Sequence, residues 1–315
     1  MIEQFAKYVD EGLSHSKKTL SSKYFYNTQG DELFFKIMGM PEYYLTRAEM
    51  EIFTLQSNNI IYCLELLPST YFELNELGAG DGTKIRELLA ALNDRGFQYD
   101  YIPIDISKNL LDKLAQDINV HLPKTSVKPK HGDYFNNVHS LKDNDHPKVV
   151  LFLGSNIGNM PDENAKKFLQ QLSDNVNGGD KLLLGVDLIK PASVILPAYN
   201  DDKGITRAFN INLLERINNE LDGTFDLDKF EHTPEHDKKD GIAKSYLESK
   251  CNQEVEIKAT GKVYQFDEGE KIHTEISRKY NGDILHDIIL DTSLRIDEKF
   301  TDNQEYFADI VLTKR

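Results

Sequence analysis

The chemistry in this chain starts at one turn. In "ELNELGAGDGTKIRELLAAL" (Glu73 to Leu92), a β-like run ends at Leu77 and a helix carrying Ile85, Leu88, Leu89 and Leu92 begins soon after; Gly78, Gly80 and Gly82 lie between them. Glycines at such a turn let a ligand lie close to the backbone at the head of a helix. The spacing is G-x-G-x-G, and a dinucleotide pyrophosphate calls for G-x-G-x-x-G, so a nicotinamide oxidoreductase is the weaker reading. Glu76 directly precedes the turn. Asp105 closes the next strand-like run, "IPIDIS", about 27 residues after Gly78, where a carboxylate can accept from both hydroxyls of a ribose. Asp133 follows a third run in "HGDYF", with Tyr134 beside it as an apolar wall for a purine. "LGSNIGN" follows a fourth, and its Gly154 and Gly158 again permit close backbone approach. Each position has a plain alternative. Asp105 can cap the helix that starts near Ser107, Asp133 can shape a turn, and Gly158 and Asn159 can shape a loop.

These residues need a scaffold, and the sequence supplies a repeating one. From Tyr71 the pattern alternates "YFELNEL", a helix to Asn93, "YDYIPIDI", a helix from Ser107 to Ile118, "SVKPKHGDYF", "PKVVLFLGS", a helix after Pro161, and "DKLLLGVDLI". Strands alternating with helices predict a parallel sheet covered on both faces, with ligands at the carboxyl ends of its strands. Ahead of it, "GDELFFKIMGMPEYYLTRAEMEIFTLQSNNIIYCL" reads as two helices broken at Pro41, the second opened by a Thr46-x-x-Glu49 capping box. After Ile189 the rhythm changes to a long helix, "ITRAFNINLLERINNEL", a charged loop, "EHTPEHDKKDGI", and strand-like "KSYLESK", "QEVEIKA" and "KVYQF". The last residues, "SLRIDEKFTDNQEYFADIVLTKR", read as two strands joined by a short loop. The expected organisation is a helical cap over residues 1–60, an α/β core over 61–198 and 286–315, and an inserted domain over 199–285.

Composition narrows the partners. The formal net charge is −15 with no basic block, which disfavours a nucleic-acid groove or an anionic membrane surface. No run approaches the roughly 20 apolar residues that span a bilayer. Glu3, Asp10 and Glu11 break the pattern of a signal peptide, and Cys63 and Cys251 read as free thiols, so a cytoplasmic location is expected. His232, His236 and His273 lack a metal-ligand spacing, and no metal is expected.

Six segments in the same order carry a resemblance: "KYFYNTQGDELFFKIMGMPEYYLTRAE", "ELGAGDGTKIRELL", "PIDIS", "LFLGSNIGN", "PAYNDDKGITRAFNINLLERINNELDGTFD" and "IHTEISRKY". Together they resemble the histidine-specific methyltransferases that use S-adenosylmethionine and release S-adenosylhomocysteine, a family that includes the enzyme trimethylating histidine in ergothioneine synthesis. The resemblance implies a class I Rossmann-like core with an N-terminal helical cap and an inserted substrate-binding domain. It implies cofactor contacts at Glu76, Gly78, Gly80, Lys84, Asp105, Ser107, Asp133 and Tyr134. For a small amino acid acceptor it implies Tyr43, Gly154, Asn156, Asn159, Tyr199, Ser245, Glu275 and Ser277, with Tyr26 and Asn159 as the catalytic pair. Tyr26, Asn159 and Tyr199 match positions at the acceptor's main-chain end, and Glu275 and Ser277 match the pair that grips the imidazole. Three positions depart from the pattern: Asn156 replaces a usual threonine, Ser245 a methionine and Leu45 a proline. The expected activity is therefore methylation of the α-amino group of histidine or a related amino acid. The alternatives are another amine as acceptor and a non-catalytic module that binds cofactor or amino acid.

Overall fold

The computed structural model describes residues 2–142, 144–237 and 240–315, with the side chain of Tyr134 outside that description. Helix α1 (Ile2–Ser14) buries Phe5, Val9 and Leu13, one face of a helical repeat. Helix α2 (Thr28–Met38) is opened by Asn27, whose side chain accepts the Gly30 N–H at 2.7 Å. Pro41 interrupts the chain before α3 (Tyr44–Cys63). The expected capping box is absent, because α3 starts ahead of Thr46. Glu49 falls on its buried face beside Ala48, Ile52 and Phe53, where a carboxylate must find partners beyond its own helix.

The next elements form the α/β core. They are β1 (Phe72–Leu77), α4 (Ile85–Asp94), β2 (Tyr99–Asp105), α5 (Lys108–His121), β3 (Ser126–Val127), β4 (Lys130–His131), α6 (Tyr134–Asn137), β5 (Lys148–Phe152), α7 (Asp162–Asp174) and β6 (Lys181–Asp187). The third expected strand is split into β3 and β4, both paired with β2, because Pro129 between them has no N–H for the ladder. Strands β5 and β6 are buried at every position, as unbroken apolar runs covered on both faces should be.

The chain then forms α8 (Ala192–Tyr199), α9 (Ile205–Leu221), β7 (Phe230–Asp237), β8 (Ile242–Ser249), β9 (Gln253–Ile257), β10 (Lys262–Phe266) and β11 (Lys271–Arg278). Strands β11, β8 and β7 make one sheet and β9 and β10 a hairpin. The expected charged loop is corrected here: "EHTPEHD" lies in β7. Its charges belong to a strand at the edge of a three-stranded sheet, with Phe230 and His232 buried and Glu231 and Glu235 in solvent, and Pro234 is tolerated at that edge. Lys238 and Lys239 lie outside the described residues. The chain closes with α10 (Gly282–Ile289), β12 (Leu294–Thr301) and β13 (Phe307–Lys314). The large sheet runs β12-β13-β6-β5-β1-β2-β3, with β13 antiparallel to β6 and the strands from β6 to β3 parallel.

Two compact units result, residues 1–44 with 190–277 and residues 45–189 with 278–315. The segment expected as a sixty-residue cap is thus divided. Helices α1 and α2 share a core with α9 through Val9, Leu13, Ile37, Phe209 and Leu213, whereas α3 packs Ile52, Phe53 and Ile60 with Phe72 of β1. In the second unit the sheet has apolar layers on both faces. Leu74 and Leu151 point into one and Leu77 and Phe152 into the other, by strand alternation. Among the described residues no helix is long and apolar enough to cross a membrane, and Cys63 and Cys251 are free thiols.

Candidate active site

The carboxyl ends of β1, β2 and β5 meet through named contacts. Gly78, Gly80 and Gly82 all have positive φ, at 74°, 59° and 69°. The Gly78 N–H donates to the Ile104 carbonyl at 2.8 Å, fixing the turn to β2. Asp105 makes the second tie, since its Oδ2 accepts the Gly80 N–H at 3.0 Å and its Oδ1 accepts the Ser107 N–H at 2.8 Å. Ser107 in turn caps α5, its hydroxyl accepting the Leu110 N–H at 3.4 Å. Asp133 stands at the start of α6, with Oδ1 taking the Phe135 N–H at 2.8 Å. The side chain of Tyr134 lies outside the described residues.

Beneath the turn is a dense set of charges. Glu76 is 4% exposed and accepts the hydroxyl of Tyr101. Burial drives its carboxyl up from an ordinary 4.5 to about 8, the charges of Glu49 and Asp105 push the same way, and the Tyr101 hydrogen bond and the Lys84 charge oppose them. Lys84 donates its ammonium to Glu49, whose other oxygen accepts the Gly154 N–H at 2.7 Å. Burial lowers the Lys84 pKa, but the Glu49 carboxylate leads the influences that outweigh it, so the net shift is upward. In the loop after β5, Ser155 takes a left-handed conformation, φ 56°, and its hydroxyl accepts the Asp187 N–H at 2.9 Å. Asn156 stands against the glycine turn, since a Cβ on Gly78 would lie 3.0 Å from its Nδ2. Asn159 ends the same loop and is exposed.

The other unit holds a second group of expected residues. Tyr26 and Tyr43 are half-buried around Phe34, with ring centroids 5.8 and 6.3 Å from it and edge-to-face geometry. The hydroxyl of Tyr199 donates to Ser277 Oγ at 2.7 Å, and both residues are buried. Ser277 and the half-buried Glu275 lie on β11, where the alternation of burial seen at Ile272 and Thr274 slips at Glu275 and Ile276. Ser245 on β8 is 1% exposed, and its Oγ has no hydrogen-bond partner among the described residues.

The structure therefore assembles Glu76, Gly78, Gly80, Lys84, Asp105 and Ser107 with Gly154 and Asn156 in one unit, and in the other it pairs Tyr199 with Ser277 and sets Tyr26 and Tyr43 each against Phe34. Sequence reasoning missed Tyr101, Asp309 and the true role of Glu49. The signal for Glu49 was present as a carboxylate on the apolar face of α3, one position after Ala48 and three before Ile52. The donor set fits S-adenosylmethionine. A Cβ on Gly80 would meet nothing within 4 Å, so the turn offers open space along its backbone, and each oxygen of Asp105 keeps a lone pair beyond its backbone N–H.

Comparison with known proteins agrees. Residues 5–314 match the family described as histidine-specific methyltransferase, SAM-dependent. The histidine N-alpha-methyltransferase of Mycolicibacterium smegmatis is 33% identical over 300 residues, covering 95% of this chain and 92% of that protein. That of Mycobacterium tuberculosis is 35% identical over 272 residues, covering 86% and 83%. Ergothioneine biosynthesis protein 1 of Neurospora crassa is 33% identical over 195 residues, 61% of this chain and 22% of that protein. Among solved structures, the mitomycin 7-O-methyltransferase MmcR superposes with a TM-score of 0.51 at 11% identity, over 98% of this chain and 68% of that one, which shows a shared fold.

Proposed function

Because the chain belongs to the family of histidine-specific, S-adenosylmethionine-dependent methyltransferases, we propose that it methylates the α-amino group of histidine. One observation carries the reading: the family match runs through both units, so the segment from 190 to 277 is shared as well as the α/β core.

When bound, S-adenosylmethionine supplies a methyl group activated by a sulfonium. The chain's own residues bind and orient. Asp105 accepts the ribose hydroxyls with the lone pairs that Gly80 and Ser107 leave free. The glycine turn gives the cofactor's amino acid part a close path along the backbone, and the Lys84 ammonium pairs with its carboxylate. Asp133 takes the adenine amino group, and Tyr134 lies beside it in sequence. On the acceptor side, Tyr26 and Tyr199 take the main-chain end of the amino acid. Glu275 and Ser277 take the two imidazole nitrogens, one as an acceptor and the other through a hydroxyl. Tyr43 and Ser245 complete the acceptor set in the same unit. Holding a neutral amine in line with the methyl carbon supplies most of the rate in such a displacement.

The partner read from all this is a small amino acid. A different side chain on it is the second reading, favoured by the buried hydroxyl of Ser245, which has no hydrogen-bond partner among the described residues. Incubation of the protein with S-adenosylmethionine and each standard amino acid separately, followed by mass spectrometry, tests both. Methylated histidine is expected. Turnover of another amino acid with histidine untouched would replace histidine, and no product from any of them would favour a binding module.

A further inference from the structure

Glu49 is completely buried in α3 and spends its two oxygens on two different loops. One accepts the Lys84 ammonium from the loop after β1, and the other accepts the Gly154 N–H from the loop after β5. Strand β6 makes room for it: a Cβ on Gly185 would lie 2.5 Å from Glu49 Oε1 and 3.2 Å from Asp309 Oδ1. Asp309 on β13 is also fully buried, and neither of its oxygens has a hydrogen bond among the described residues. The groups around Lys84 are thus Glu49 from α3, Glu76 from β1 and Asp309 from β13, and Glu49 is the one in contact with its ammonium. Burial and then the Glu49 charge hold the Asp309 carboxyl well above the carboxylate range, against the pull of Lys84, and Glu49 is the carboxylate that takes the Lys84 hydrogen bond.

We propose that Glu49 is a positioning residue for the amino acid end of the cofactor, holding Lys84 and the Gly154 loop where they receive its carboxylate. This rests on the reading that Lys84 pairs with that carboxylate. Lysine has four rotatable side-chain bonds and no preferred direction, so a buried partner that fixes its head lowers the entropy lost on binding. Glu49 gains nothing from the adenosine end, and that makes its role separable.

Two ligands distinguish the ends: S-adenosylhomocysteine carries the amino acid part, and 5′-methylthioadenosine lacks it. Calorimetric affinities for both are measured on the wild type, Lys84→Met and Glu49→Gln. Each variant should lose about tenfold or more for S-adenosylhomocysteine, the loss expected of a charged hydrogen bond, while 5′-methylthioadenosine binds within about threefold of wild type. An equal loss for both ligands in Glu49→Gln, or none for either, overturns the proposal. An absence of selective loss in Lys84→Met overturns the reading of Lys84 itself, and the proposal with it. Should Glu49→Gln fail to fold, Gly185→Ala decides, because it keeps every charge and displaces Glu49 from β6. The same selective loss is expected there, and a uniform loss or no loss overturns the proposal.

Discussion

At the scale of single residues, the hydroxyl pair of Tyr199 and Ser277 is the contact with the clearest consequence. Tyr199 donates, so the Ser277 hydrogen is directed to another acceptor, and the two side chains act as one chain of hydrogen bonds. Histidine affinity should therefore fall in both Tyr199→Phe and Ser277→Ala, and the double variant should lose less than the sum by about 0.5–1.5 kcal/mol. Calorimetric titration of histidine in the presence of S-adenosylhomocysteine measures the cycle. Strict additivity would mean that the two hydroxyls serve separate purposes. Glu49 teaches a related lesson. A Glu three residues after a Thr reads as a capping box, yet this one is buried against Lys84 and Gly154.

At the scale of elements, the glycine turn separates architecture from ligand. Gly82 and Gly80 both sit at positive φ, but a Cβ on Gly82 would come 2.7 Å from Cδ1 of Leu114, a side chain packed in the core, whereas one on Gly80 would meet nothing within 4 Å. An alanine at either position costs about 1 kcal/mol of left-handed backbone strain. Gly82→Ala adds an overpacking cost of about 1–3 kcal/mol. Urea unfolding should accordingly rank Gly82→Ala below Gly80→Ala in stability. Affinity for S-adenosylhomocysteine should be the property that Gly80→Ala loses, because its methyl group fills the space offered to the cofactor. Equal stability of the two variants would show that the helix α5 packing yields at Leu114. Strand β7 belongs to this scale too, since its charges line a sheet edge, where charged side chains disfavour pairing with another strand.

At the scale of the whole molecule, two buried titratable groups shape the pH range of stability. The Glu76 carboxyl moves from 4.5 in the unfolded chain to about 8 in the fold, so the folded state holds its proton where the unfolded chain has released it. Its contribution is complete below about pH 4.5 and is lost as pH rises through 8. The His232 imidazole, pulled down by burial from 6.5 to about 4 against the charge of Asp201, contributes above 6.5 and is lost as pH falls through 4. Between 4.5 and 6.5 the two slopes oppose each other, and above 6.5 the Glu76 slope stands alone of the pair. Wild-type stability should fall by roughly 1–2 kcal/mol more than that of Glu76→Gln between pH 6.5 and 8. Urea midpoints at those two pH values check it, and parallel slopes in the two proteins would mean that Glu76 is ionised in the fold.

The sequence by itself determined the alternation of strands and helices, the glycine turn, the acid at the end of β2 and the −15 charge, because apolar periodicity, turn chemistry and composition are local properties. It also carried the family, through six ordered segments. Tertiary structure alone decided the rest. It joined α1 and α2 to α9 and gave α3 to the α/β core, since which apolar face meets which depends on residues more than a hundred positions apart. It moved Glu49 from a helix end to the foot of the glycine turn, and it brought Asp309 from the last strand to within reach of the same lysine's field. A buried charge is specified by partners that arrive from elsewhere in the chain, and local spacing holds no record of them.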